Sequence, residues 1–381
     1  MTNSDQAIHV GRGAVRQLVP ILKRCNPERI FLVTGQASYV LSGAAAAMEP
    51  IMGAYATLRF SDFGANPKLD EIVAGVELFR KSRCDCVIGI GGGSVIDLAK
   101  AVSLLGVQPG DPALYVTGQR EPTVARVRSM MIPTTAGTGS ESTHFSVIYV
   151  DGEKKSLSQL SMLPDTALVD PELTDSLPPY VTACSGLDAL CQAIESFWSN
   201  QSTVTSRRLS AQAIQIIHSN LERAVNEPTP DVRTRMLTAA NLSGQAINIA
   251  QTTAAHAASY QLTSRFGIAH GHAVGLILPQ VLELNTAVTE ETLQDERGIG
   301  HVRKIMRELF ELLGVGSAHD ARTELQALMR RVHLSHRLSD LGVTHDQLEA
   351  VSRRGVNSSR TGNNPRIFGR QELLSLYRVI F

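Results

Sequence analysis

The chain has 381 residues, with 36 Lys and Arg against 36 Asp and Glu, and 43% of its residues are hydrophobic. That charge balance excludes a strongly basic binder of nucleic acid or anionic membrane, and the composition excludes a disordered or fibrous chain. The length accommodates two or three domains with sizeable cores, and no apolar run approaches the roughly 20 residues that span a bilayer.

Taken in chain order, RIFLVTG (29–35) is an apolar run ending in glycine and predicts a buried strand. KLDEIVAGVELFRKS (68–82) carries apolar residues at helical spacing. DCVIGIGGG (85–93) and VRSMMIPTT (127–135) predict two more buried strands, and SVIYVDGEKKSLSQL (146–160) predicts a hairpin turning at Asp151-Gly152. Strands alternating with helices imply a parallel sheet covered on both faces. Beyond about residue 180 strand signals nearly vanish, and helical patterns occupy 205–225, 231–263 and 302–331. The break falls at DSLPPYVTA, where Pro178 and Pro179 forbid a continuous helix. The expected architecture is an α/β N-terminal dinucleotide-binding domain over 1–180 and an all-α C-terminal domain over 181–381, with a ligand cleft between them.

Cys25, Cys84, Cys86, Cys184 and Cys191 are odd in number and show no CxxC spacing, which reads as buried, reduced thiols. Cys84 and Cys86, in a predicted strand, are expected to face opposite ways and to pack rather than chelate. MTNSDQAIHV has no basic stretch followed by an apolar core, so a soluble, cytoplasmic protein is expected.

Two loops carry ligand chemistry. GIGGGSVIDLAKAV (89–102) sets three consecutive glycines between a strand and a helix. Without side chains the backbone approaches a ligand closely, and the helix N-terminus adds free N–H groups, a combination suited to a pyrophosphate. The spacing is neither GxGxxG nor a P-loop ending in GK[ST], which disfavours a P-loop kinase. PTTAGTGSEST (133–143) follows the next strand with six hydroxyls, suited to phosphate, ribose or an amide, and equally to a solvated turn. At the ends of neighbouring strands the two loops share the sheet edge where open α/β folds bind cofactors.

A third constellation lies in the helical half. Asp188 and Gln192 are one turn apart in SGLDALCQAIESF, and His256, His270 and His272 fall in HAASYQLTSRFGIAHGH. One carboxylate and two neutral imidazoles make a three-ligand metal site with positions open to a substrate oxygen, although each histidine alone also suits an ordinary hydrogen-bonded role.

GGGSVIDLAK, IPTTAGTGSEST, LPDTALVDPEL, GLDALCQAIESFWS, HGHAVGLILPQVLELN and NNPR occur in the order and spacing of the iron-dependent (group III) alcohol dehydrogenases, which this chain resembles from about residue 8 to 378. The resemblance implies a dehydroquinate synthase-like fold and a metal held at Asp188, Gln192, His256 and His270, with Gln192 standing where the family has a third histidine. A glutamine carbonyl is a harder, weaker donor than imidazole. Fe²⁺ is the expected ion, with Zn²⁺ or Mn²⁺ as alternatives. Tyr260 replaces a histidine proposed to relay a proton in many members, leaving Tyr260 or His272 for that role.

By the same resemblance, Gly91, Gly92, Gly93 and Ser94 cradle the pyrophosphate of NADPH or NADH. Asp97, Lys100, Thr134, Thr135, Thr138, Ser140 and Lys155 are assigned to the same cofactor. Gly35 stands where NAD-preferring relatives carry an Asp that repels a 2′-phosphate, so NADPH is permitted. No Arg following that strand is evident as a phosphate clamp, which suggests use of both cofactors. TTAAHA, SYQLTS and FGIAHGHA look most like the branch that reduces phosphonoacetaldehyde to 2-hydroxyethylphosphonate. A phosphonate needs converging donors, for which Thr252, Thr253, Ser259, Arg265, His272, Arg360 and Arg366 are the candidates. Another small aldehyde such as lactaldehyde or succinic semialdehyde, a dehydroquinate synthase-like lyase, and a non-catalytic nucleotide-binding regulator are the alternatives. A homodimer or larger homo-oligomer is expected, without nucleic-acid or membrane partners.

Overall fold

The computed structural model describes residues 6–352 and 358–381, so the first half of the MTNSDQAIHV stretch read above lies outside the described residues. Among the described residues no helix is long and apolar enough to cross a membrane. Two compact units emerge, one of residues 1–177 with 229–244 and the other of 178–228 with 245–381. Residues 229–244 belong with the first unit, an assignment that no single cut in the sequence expresses.

The first unit is built on strands Ala7–Val10 (β1), Ile30–Thr34 (β2), Thr57–Phe60 (β3), Cys86–Gly91 (β4) and Arg128–Pro133 (β5), an antiparallel hairpin of Phe145–Val150 (β6) and Glu153–Ser158 (β7), and Thr166–Val169 (β8). Six of these form one parallel sheet in the order β1-β8-β5-β4-β2-β3. Alternation along β2 sends Phe31 and Val33 into one core, shared with Val95, Ile96 and Leu98 of the Gly93–Leu105 helix. Ile30 and Leu32 enter the opposite core, shared with Leu18, Leu22 and Met48. Both faces of the sheet are thus buried, which is why β2 and β4 read as continuous apolar runs.

Cys84 and Cys86 do enter opposite cores. Strand alternation is not the cause, because residues i and i+2 share a face. β4 begins only at Cys86, and Cys84 stands outside it, just after Arg83 in the left-handed region at φ 51°. All five cysteines are free thiols.

The second unit is helical. Its Pro179–Trp198 helix packs against Val204–Asn226 and His270–Thr286. The single helical pattern expected over 231–263 is two helices, Pro230–Ala250 and Ala254–Phe266, separated where Gln251 adopts φ 59°. The pattern over 302–331 likewise divides, into Ile299–Leu313 and Ala318–Arg331, at Gly314 with φ 69°.

Candidate active site

Asp188, Gln192 and Glu195 are spaced by four and three residues along the Pro179–Trp198 helix, so they share one buried face. His256 lies in the first turn of Ala254–Phe266, and His270 opens His270–Thr286. A Cβ on Gly271 would lie 1.9 Å from the Cys184 carbonyl oxygen and 2.8 Å from Asp188 Cβ. Glycine at 271 therefore permits the approach of two helices that brings His270 to Asp188.

Asp188 Oδ1 is 3.4 Å from His256 Nε2 and 3.9 Å from His270 Nε2. One ligand atom from each of Asp188, His256 and His270 lies within 4.8 Å of the others. His256 Nε2 is buried and makes no hydrogen bond, whereas its Nδ1 is held by Glu195 Oε2. Burial opposes a charged ring at His256, but Glu195 and then Asp188 outweigh it and hold the imidazole up at about 9. An imidazole with one nitrogen tied to a carboxylate and the other unbonded beside a second carboxylate fits a divalent first-row cation.

Glu195 was not singled out from the sequence, although its position on the Asp188 face was the available signal. Its side chain is 0% exposed. Oε1 accepts from the Thr253 hydroxyl (2.6 Å) and from the backbone N–H groups of Thr253 (3.1 Å) and Ala255 (2.8 Å). It therefore anchors the start of the Ala254–Phe266 helix, where orphan donors favour an acid, and fixes the ring plane of His256 from the same carboxylate. Glu195→Gln is expected to weaken metal binding by about 10- to 100-fold. Competition for Zn²⁺ with a chromophoric chelator measures this, and unchanged affinity would count against the orienting role.

The Gln192 amide nitrogen donates to Asp188 Oδ2 at 3.0 Å, while Oδ1 faces the histidines. In this arrangement Gln192 braces the acid, and its nitrogen is directed at a carboxylate. Tyr260 is half-buried one turn after His256, its ring centroid 6.2 Å from that of His270.

His272, two positions after His270, points toward another side of its helix. Its Nε2 pairs with the Ser335 carbonyl at 2.7 Å, and burial holds the ring below the usual histidine range. The structure thus brings Tyr260, and not His272, to the cluster of Asp188, His256 and His270.

The expected substrate donors divide in the same way. Thr253 is buried, accepts from Trp198 Nε1 (2.9 Å) and donates to Glu195, and the buried Ser259 hydroxyl donates to the His256 carbonyl. Both hydroxyls are committed internally. Arg265 is exposed and bonded to Gln261 of its own helix, so it turns to solvent. Arg366 is half-buried and donates to the Leu284 carbonyl. Arg360, also half-buried, donates to Gln251 Oε1 at 2.6 Å, on the strap Gln251–Thr252 that precedes His256. Asn363 donates to the same Gln251 oxygen and to the Thr252 carbonyl.

In the first unit, the glycine turn and the hydroxyl-rich loop meet. A Cβ on Gly93 would lie 2.7 Å from Thr138 Cγ2, one on Gly92 would lie 3.5 Å from Thr135 Cγ2, and Thr134 N donates to the Gly91 carbonyl at 2.9 Å. Gly91, Gly92, Gly93, Thr134, Thr135 and Thr138 are therefore assembled at one sheet edge. Ser94 Oγ accepts from Asn66 N.

Asp97, Lys100 and Ser140, assigned to the cofactor from the sequence, bond to one another and to the loop that carries the threonines. Lys100 is fully buried, and its ammonium donates to the carbonyls of Ser140 (2.9 Å) and Phe145 and to Thr143 Oγ1 (2.8 Å), beside Asp97 at 3.3 Å. Asp97 accepts from Ser140 Oγ and from Val147 N. The three side chains clamp the loop from beneath, holding the threonines in place. Lys155 is half-exposed on β7 and paired with Glu153.

The family described as iron-containing alcohol dehydrogenase matches residues 5–171, and the C-terminal family of Fe-containing alcohol dehydrogenases matches 182–381. Long-chain-alcohol dehydrogenase 1 of Geobacillus thermodenitrificans is 31% identical, over 98% of this chain and 94% of its own. Phosphonoacetaldehyde reductase of Streptomyces viridochromogenes is 36% identical, over 80% of this chain and 78% of its own. The crystal structure of sulfoacetaldehyde reductase from Bifidobacterium kashiwanohense in complex with NAD⁺ superimposes with a TM-score of 0.87 at 30% identity, covering 99% of this chain and 97% of that one.

Proposed function

Because the chain belongs to the iron-containing alcohol dehydrogenase family, we propose that it is a metal-dependent, NAD(P)H-linked reductase of a small aldehyde with an anionic head group, phosphonoacetaldehyde foremost. The observation that carries the reading is the convergence of Asp188, His256 and His270 with His256 Nε2 left unbonded. Two relatives named for short anionic aldehydes, one a phosphonate and one a sulfonate, support the substrate class.

Asp188, His256 and His270 would hold the cation. When bound, it supplies a Lewis acid to the carbonyl oxygen, while the reduced nicotinamide supplies the hydride. The chain's own groups do the rest. Glu195 keeps His256 in the tautomer that presents Nε2, and Gln192 steadies Asp188. The glycines 91–93 admit the pyrophosphate to the backbone, and Thr135 and Thr138 flank it. Tyr260 Oη donates the proton that the product alcohol retains, so aldehyde, hydride and one proton balance one alcohol. Arg360, whose Nη1 bonds Gln251 on the strap before His256, would be the donor that holds the anionic head group.

Following absorbance of the reduced cofactor with phosphonoacetaldehyde, sulfoacetaldehyde, lactaldehyde, succinic semialdehyde and uncharged straight-chain aldehydes tests the reading. The expected result is the highest kcat/KM for the two-carbon anionic aldehydes, abolished by chelator and restored by divalent metal. A preference for uncharged chains would contradict the head-group assignment, and no turnover with any aldehyde would contradict the reductase.

A further inference from the structure

The sequence shows no arginine after β2 to receive a 2′-phosphate, but the parallel register supplies one from the next strand. β3 lies beside β2 with Arg59 opposite Leu32. From there the guanidinium reaches back over the end of β2: Nε donates to Thr34 Oγ1 at 2.8 Å and Nη2 to the Gly35 carbonyl at 3.1 Å. Its carbon sits 4.8 Å from the centroid of the Tyr39 ring. Both acceptors are neutral. The ion-paired arginines among the described residues are others, and Arg59 is in none of those pairs. A guanidinium carries five N–H donors, so those on Nη1 and one on Nη2 stay uncommitted in an exposed side chain.

The ground around it matches. A Cβ on Gly35 would lie 2.1 Å from Ser38 Oγ, so a hydroxyl occupies the space where an acidic side chain would hold ribose hydroxyls. In the strand order the glycine turn after β4, the end of β2 and Arg59 on β3 follow one another along a single sheet edge. Each step is one strand spacing, about 4.8 Å. A cofactor whose pyrophosphate sits on the turn after β4 brings its adenosine ribose to Gly35 and Arg59.

Resting on the NAD(P)-linked reading above, we propose that Arg59, with Ser38 over Gly35, forms a 2′-phosphate site that selects NADPH over NADH. Stacking on Tyr39 orients the fork, and the absence of a carboxylate partner leaves the charge for the ligand.

Calorimetric binding of 2′,5′-ADP and 5′-ADP, and of NADPH and NADH, to the full chain tests this without turnover. Wild type is expected to bind the 2′-phosphorylated member of each pair at least tenfold more tightly. Arg59→Gln is expected to remove that preference with NADH affinity unchanged, which also shows the fold is intact. Gly35→Asp, in which Ser38 Oγ must rotate aside, is expected to reverse it. Equal binding of the two cofactors by wild type, or a preference that survives Arg59→Gln, overturns the proposal. These ratios are independent of aldehyde turnover, whose failure would count against the reductase reading instead.

Discussion

Replacing His256 with alanine is expected to lower kcat/KM for aldehyde reduction by roughly a thousandfold. A bound cation is worth several kcal/mol to a developing alkoxide, and about 4 kcal/mol corresponds to that factor. His256 is the ligand most completely committed, with Nδ1 held by Glu195 and Nε2 beside Asp188. Its loss leaves one acid and one imidazole, too few for a tight tetrahedral site. The measurement pairs steady-state rates with metal content by mass spectrometry. NADPH affinity should be unchanged, since every cofactor contact assigned above lies in the first unit. Retained metal together with a rate within tenfold of wild type would contradict the assignment.

The second large effect concerns stability. Lys100→Met is expected to destabilise the first unit by about 3 to 5 kcal/mol, the range for breaking a buried ion pair by removing one partner. The ammonium is completely buried, and burial lowers its pKa while Asp97 opposes that shift. Methionine keeps much of the volume but leaves the carbonyls of Ser140 and Phe145 without the ammonium donor and the Asp97 carboxylate without its counter-charge. The loop bearing Thr135 and Thr138 loosens with it, so NADPH affinity should fall as well. Trp198 is the sole tryptophan and belongs to the second unit. Its fluorescence would miss the effect, so urea unfolding should be followed by circular dichroism with amide exchange over 86–147. A change below 1 kcal/mol would show that the clamp is dispensable.

These contrasts mark what residues reveal without coordinates. β2, β4, β5 and the β6–β7 hairpin were legible because burial on both sheet faces, or an Asp-Gly turn, leaves a strong local pattern. β1, β3 and β8 span only four residues each, too short for periodicity to register. Missing β3 also hid Arg59, whose relation to Gly35 exists only through strand pairing. The fold of this family follows from motif order across the chain, and Asp188, His256 and His270 do converge.

The partners of Glu195 and Lys100 were hidden from the sequence for a common reason. Buried charged side chains act through partners distant in sequence, such as Glu195 with His256 and Lys100 with Phe145. The break at Gln251 belongs to the same class. Nothing local ends that helical pattern, and the acid that starts the next helix comes from 58 residues earlier in the chain.

The central claim is that one divalent cation is held by Asp188, His256 and His270. X-ray absorption at the metal edge of protein loaded with Fe²⁺ or Zn²⁺ tests it most directly. The account predicts one ion per chain with two imidazoles in its scattering shell, lowered ion content in His270→Ala with one imidazole around any ion that stays bound, and no bound ion when His256 is also replaced. A shell without imidazole in the wild-type protein, or one unaltered by those substitutions, would contradict it.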